Sequence, residues 1–238
     1  VSVWFRAVRW QVLLKHMCPV SVSRLYPVVV VGYMANNILP MRLGELVCSY
    51  YLERRENISV PGALATIVVG RVLDALTLLF FVAVIALFVP VVGLAKAFGD
   101  NYGIPWPLLV VTLSAPFVAL FSLLLLWALF PMMGMQIAMN FLRPLPSHVR
   151  ESLRQGILLF MDGLVPLRSP MSLVRLFLLS VPIWLFEAGL FILLGFSFGL
   201  NTSFSNSGEM IVAMVLVTAV ANLGSSIPAT PGGIGLFE

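Results

Sequence analysis

Long apolar blocks, broken at a few places by short polar clusters, set the pattern of this chain. Residues 61–90, 106–130 and 171–200 are each longer than the about 20 residues that a helix needs to cross hydrocarbon. A fourth apolar run, 209–228, carries Thr218 and Asn222. Pro61 suits the first turn of a helix, and Pro90 closes the first span. The 106–130 span holds no charge and reads as packing scaffold, whereas 171–200 carries Arg175 at its entry and Glu187 inside.

Residues 19–41 are apolar too, but Pro27, Gly32, Asn36, Asn37 and Pro40 interrupt them. Basic residues stand on both sides: Arg6, Arg9 and Lys15 before, Arg42, Arg54 and Arg55 after. Positive charge favours the cytoplasmic side, so the spacing favours a re-entrant hairpin over a full span. Residues 1–18 read as the basic, Trp-bearing end of a helix at the interface, with Trp4, Trp10, Arg6, Arg9 and Lys15 as anchors. Residues 50–60 read as a charged loop, and 131–170 as an interfacial amphipathic segment drawn to anionic headgroups. Alternating the three clear spans puts loops 42–60 and 131–170 inside, and loops 91–105 and 201–208 outside.

Composition fixes the solvent. Of 238 residues, 60% are hydrophobic and 10% charged, with a mean hydropathy of +1.03; a soluble domain carries about 25% charged residues. The expected fold is therefore an all-α, polytopic integral membrane helical bundle with one or two broken or re-entrant helices. The excess of 14 Lys+Arg over 10 Asp+Glu, and a pI near 9.4, do not form an aromatic-interleaved patch, so nucleic acid is not expected. Cys18 and Cys48, with His16 and His148, show no zinc spacing. Neither a cleavable signal peptide nor a G-x-S-x-G, H-E-x-x-H, P-loop or G-x-G-x-x-G motif is visible. No cofactor or metal is expected, and residues 1–238 read as one transmembrane domain, a fragment lacking helices at both ends.

The polar clusters hold the candidate chemistry. Asn36-Asn37-Ile38-Leu39-Pro40-Met41-Arg42-Leu43-Gly44-Glu45 packs two amides, a proline, an arginine, a glycine and a carboxylate into ten residues. Such groups beside hydrocarbon mark function. Arg42–Glu45 and Arg71–Asp74 are each three apart, a spacing that also suits structural ion pairs. The late segment Asn222…Ile227-Pro228…Gly235…Glu238 loosely repeats the early order of Asn, Pro, Gly and Glu. Paired interrupted segments point to a transporter's central site, where broken helices hold anions.

At these residues the chain resembles the lysylphosphatidylglycerol synthase transmembrane family, the flippase portion of bacterial multiple peptide resistance factors and stand-alone relatives. The matching stretches are Arg9-Trp10, N-N-x-x-P-x-R-x-G-E at 36–45, Ile58-Ser59, Ala63-Leu64-Ala65-Thr66, Arg71-x-x-Asp74 and P-x-T-P-G-G-x-G-x-x-E at 228–238. Two positions depart from the pattern, which often has an arginine where Cys48 stands and a glutamate where Gly70 stands.

The resemblance implies a translocase in the cell inner (plasma) membrane that moves a polar, charged or aminoacylated phospholipid, or a lipid-linked sugar. Arg42 and Arg71 would contact phosphate; Glu45, Asp74 and Glu187 a cationic or hydroxyl-rich head. Asn36, Asn37 and the 228–235 loop, with Thr230, Gly232, Gly233 and the nearby Glu238, would shape the cavity. The competing reading is a non-transporting subunit that docks a glycosyltransferase or lipid-modifying enzyme. A third, an embedded transferase, would need Asp74 or Glu187 as its base. A homo-oligomer is also open.

Overall fold

The computed structural model describes residues 1–39, 43–86, 105–204 and 206–224. Among these the chain is helical and contains no strand. The helices are α1 (Ser2–Leu14), α2 (Val22–Ile38), α3 (Gly44–Glu56), α4 (Val60–Ala86) and α5 (Trp106–Leu129). There follow α6 (Pro131–Leu142), α7 (Ser147–Gly163), α8 (Pro170–Ser197) and α9 (Ser207–Gly224). One-turn 3₁₀ segments, Val165–Arg168 and Leu200–Ser203, flank α8. Helices satisfy their own backbone groups, which hydrocarbon demands. Helices α4, α8 and α9 are long and apolar enough to cross a membrane. Their outward faces fit that solvent: Leu178, Leu185 and Leu193 of α8 are all more than half exposed.

Helices α2 and α3 form an antiparallel hairpin. Arg24 faces Glu56, the Val28 carbonyl accepts from the Cys48 thiol, and Asn36 Oδ1 accepts from the Gly44 amide at 2.9 Å. Two glycines let the backbones touch: a Cβ on Gly32 would strike Cys48 Sγ, and one on Gly44 would strike the Gly32 carbonyl. The 13 residues of α3 rise about 20 Å, too little to cross a core about 30 Å thick. Neither α2 nor α3 is among the helices long and apolar enough to cross a membrane, and the turn at 40–42 of the expected re-entrant segment lies outside the described residues.

The charged loop expected at 50–60 is mostly helix. Leu52 is buried, Arg54 and Arg55 lie over the rings of Tyr50 and Tyr51, and only the outer face is solvated. Asn57, left-handed at φ 53°, ends α3 with its amide turned back to the Leu52 carbonyl.

The connections at 15–21, 57–59 and 164–169 gather at one end of the bundle. His16 Nε2 meets the Asp162 carbonyl at 2.6 Å, and a Cβ on Gly163 would approach the Gly62 carbonyl to 2.6 Å. Arg168 donates to the Ala128 carbonyl at 2.8 Å, while Val20, Ile58, Leu164 and Leu167 are buried beside these contacts. Residues 57–62 and 162–168 thus lie together, on one side as the alternation of spans expects of the loops they belong to. Just beyond α5 the chain turns by 108° into α6.

Candidate functional site

The position of α1 corrects the interfacial reading of residues 1–18. Ala7, Trp10 and Leu14 form a stripe at helical spacing, and all three are buried among α2, α4 and α8 with Leu13. Trp4 and Lys15 stay outward as expected of anchors. Trp10, Arg6 and Arg9 do not. Trp10 Nε1 donates to Thr66 Oγ1 at 3.0 Å, and both arginines are drawn inward by carboxylates.

Asp74 is the hub of this interior. Arg9 grips it with both ends of its fork, Nη1 to Oδ1 at 2.6 Å and Nη2 to Oδ2 at 3.0 Å. Trp184 Nε1 adds a bond to Oδ1 at 3.0 Å, and Arg6 Nη1 reaches Oδ2 at 3.4 Å. Arg9 also donates to Ser180 Oγ at 2.7 Å. The side chains of Arg9 and Asp74 are only 7% and 8% exposed. A buried pair survives only when geometry and extra hydrogen bonds satisfy both charges, and here they do. The network ties α1, α4 and α8 into one unit.

Arg6 is held differently. Its second terminal nitrogen reaches Glu187 Oε1 at 3.4 Å, and its guanidinium lies 5.1 Å from the Trp184 ring and 5.5 Å from the Tyr33 ring. Its buried Nε has no partner among the described residues.

Beside the hub opens a cleft of about 100 Å³ between α1, α2, α3 and α4, lined among others by Arg6, Tyr33, Asn36, Glu45, Arg71 and Asp74. Arg71 Nε donates to Glu45 Oε1 at 2.9 Å, and the two side chains remain 37% and 24% exposed. Among the described residues no group bonds the terminal nitrogens of Arg71, a residue that lines the cleft. Arg71 and Asp74 lie about 16 and 21 Å along α4 from Val60, near the middle of its 27 residues. Arg6, Arg9 and Arg71 balance Glu45, Asp74 and Glu187 in formal charge, so a mixed-charge ligand fits without a net imbalance. No cluster of three or more His, Cys, Asp or Glu among the described residues could hold a metal.

The protein-family model for the lysylphosphatidylglycerol synthase TM region matches residues 1–238, the whole chain. The chain belongs to this family. No curated protein and no solved structure matches it. The lysylphosphatidylglycerol synthase TM region is a membrane domain, and with its spanning helices the chain is a multi-pass membrane protein.

Within this TM region four of the residues singled out by sequence, Asn36, Glu45, Arg71 and Asp74, line one cleft. Glu187 joins them indirectly, through Arg6. Asn37 is exposed and does not line the cleft, because α2 turns it one helical step away from Asn36. The pairing within Arg71–Asp74 is also corrected: Arg71 bonds Glu45 across to α3, and Asp74 bonds the arginines of α1. The expected Arg42–Glu45 pairing falls partly outside the described residues. Arg42, Thr230, Gly232, Gly233 and Glu238 lie outside the described residues. Sequence reasoning missed Arg6 and Arg9 as site residues, although Arg9-Trp10 was among the family's matching stretches and two arginines, Arg42 and Arg71, could not neutralise the three carboxylates Glu45, Asp74 and Glu187.

Proposed function

We propose that this domain translocates a polar, charged or aminoacylated phospholipid, or a lipid-linked headgroup, across the bacterial plasma membrane, as a transporter and not an enzyme. The observation that supports the reading best is the Glu45–Arg71 pair, partly exposed at a cleft about halfway along the membrane-spanning helix α4. Charges are costly there unless they serve a pathway or a partner. Arg71 offers two terminal donors in the planar geometry that suits phosphate. Glu45 Oε2 can accept an ammonium or hydroxyl, and Asn36 keeps its amide nitrogen to donate after its oxygen is taken by Gly44.

The Asp74 hub plays another part in this reading. Its four donors already satisfy it, so it holds the cleft wall and gives little to a ligand.

The test is a proteoliposome assay on the full-length parent with labelled phosphatidylglycerol, its lysyl ester and a lipid-linked sugar. Arg71→Gln and Glu45→Gln should each lower translocation of one of these lipids at least tenfold while the protein stays folded. Transfer of none of the three by folded parent would overturn the proposal in favour of a subunit that docks a lipid-modifying enzyme, which a pull-down would then seek.

A further inference from the structure

A second polar hollow lies far along the chain from the cleft, between α6 and α7. It measures about 380 Å³ and is lined by Gln136, Met139, Asn140, Arg143 and Arg150. The guanidinium groups of Arg143 and Arg150 have no ion-pair or hydrogen-bond partner among the described residues; their backbone amides bond the Asn140 and Pro146 carbonyls. The nearest carboxylate in sequence, Glu151, is taken by Arg154 at 2.9 Å. The hollow thus presents two free positive forks and two amides, with no anion to balance them.

Its surroundings are those of a membrane surface. Helix α6 leaves α5 at 108°, so it runs along the plane that α5 crosses, and its 12 residues rise only about 18 Å. Gln136, Asn140 and Arg143 recur at helical spacing as one polar stripe. Beside it Met133, Ile137 and Phe141 form an apolar stripe, 60%, 57% and 80% exposed. An amphipathic helix of this kind rests at the headgroup–acyl boundary. The first turn of α7, beside Arg150, has no side-chain cap, which adds the positive end of a helix dipole.

We propose that the α6–α7 elbow is a docking site for one anionic phospholipid, separate from the central cleft. Arg143 and Arg150 hold the phosphate, Gln136 and Asn140 meet the glycerol and ester oxygens, and an acyl chain lies over Met133, Ile137 and Phe141. Charge complementarity selects the occupant: a lipid supplies both the anion and the chain, where a soluble phosphate would leave the apolar stripe bare.

The test uses the full-length parent in phosphatidylcholine nanodiscs, photolabelled by a phosphatidylglycerol that carries a diazirine near its ester. Label should appear in the peptide containing residues 132–141 and fall on the order of tenfold in Arg143→Gln/Arg150→Gln. Arg143→Lys/Arg150→Lys should restore much of it. Because both arginines lie at the surface, folding is not at stake, and unchanged melting of the double variant checks this. Glu45→Gln/Arg71→Gln should leave the elbow labelled, so failure of the cleft reading would not imitate failure here. Equal labelling by the matching phosphatidylcholine probe, or undiminished labelling in the glutamine variant, would sink the proposal. Full protection by soluble glycerol phosphate would overturn it in favour of a soluble-anion site.

Discussion

Two arginine–carboxylate pairs, both joined to α4, lie a helical turn apart, and they differ in burial and in the number of partners each charge has. Arg9–Asp74 is bidentate, nearly sealed from solvent and reinforced by Trp184 and Ser180. Glu45–Arg71 makes one hydrogen bond and stays partly exposed in the cleft. The chemistry is shared; what differs is how many other partners each charge has. A carboxylate with four donors is committed to architecture, whereas an arginine whose two terminal nitrogens have no partner among the described residues is, in the proposed reading, the one that would meet a phosphate. Membrane-buried charge is therefore not one category, and counting charges cannot separate the two roles.

The sharpest way to break the comparison is at the hub. Asp74→Asn removes the charge that holds two buried arginines, and losing one partner of a buried pair costs about 3–5 kcal/mol. The full-length variant in detergent should melt well below the parent and lose much of its yield. If Asp74→Asn melted like the parent while translocation stopped, Asp74 would be a ligand residue and the division drawn above would fall. The same variant is consequently a poor probe of transport, because loss of fold and loss of function would coincide.

How far the sequence revealed this arrangement follows from the same physics. Long apolar runs declare spans through length alone, so α4, α5, α8 and α9 were legible to within a few residues at the ends the structure describes. The polar stretch 36–45 stood out because its composition is so costly in hydrocarbon, and its residues Asn36, Gly44 and Glu45 do line the cleft. Partner choice was not legible. Arg71 and Asp74 sit three apart, and that spacing invites an intrahelical pair, yet each bonds a different helix. Helix α1 was misplaced for a related reason: arginines near tryptophans read as interfacial until the two carboxylates that neutralise them are seen. The α3 helix was hidden by its charged outer face, since Leu52 is its main buried apolar anchor and no regular stripe announces it.

A smaller effect should follow from closing the hairpin contact. In Gly44→Ala the new Cβ would meet the Gly32 carbonyl and lie 2.6 Å from Asn36 Oδ1. The hairpin must open slightly, at about 1–3 kcal/mol. Because Glu45 is the next residue, the shift also pulls it from Arg71. Translocation should fall more than the melting temperature suggests, which would tie the geometry of the α2–α3 tip to the working pair. An alanine variant with parental melting and parental transport would show that the tip tolerates displacement and that the close glycine contact matters little.

The smallest expected effect on stability belongs to Glu45→Gln. The carboxylate is about a quarter exposed, and such pairs contribute about 0–1 kcal/mol once solvent shares the charge. The amide oxygen can still accept from Arg71 Nε, so the geometry survives while the negative charge is gone. Thermal unfolding of the full-length variant should consequently shift by no more than a few degrees. A shift as large as that of Asp74→Asn would mean that the Glu45–Arg71 pair is as structural as the hub. The cleft would then contain no charge left free for a headgroup, and the contrast between the two pairs would disappear. A small shift would leave Glu45→Gln as the cleaner instrument for asking what the cleft carries, because any loss of transport could then be assigned to the missing charge and not to a damaged bundle.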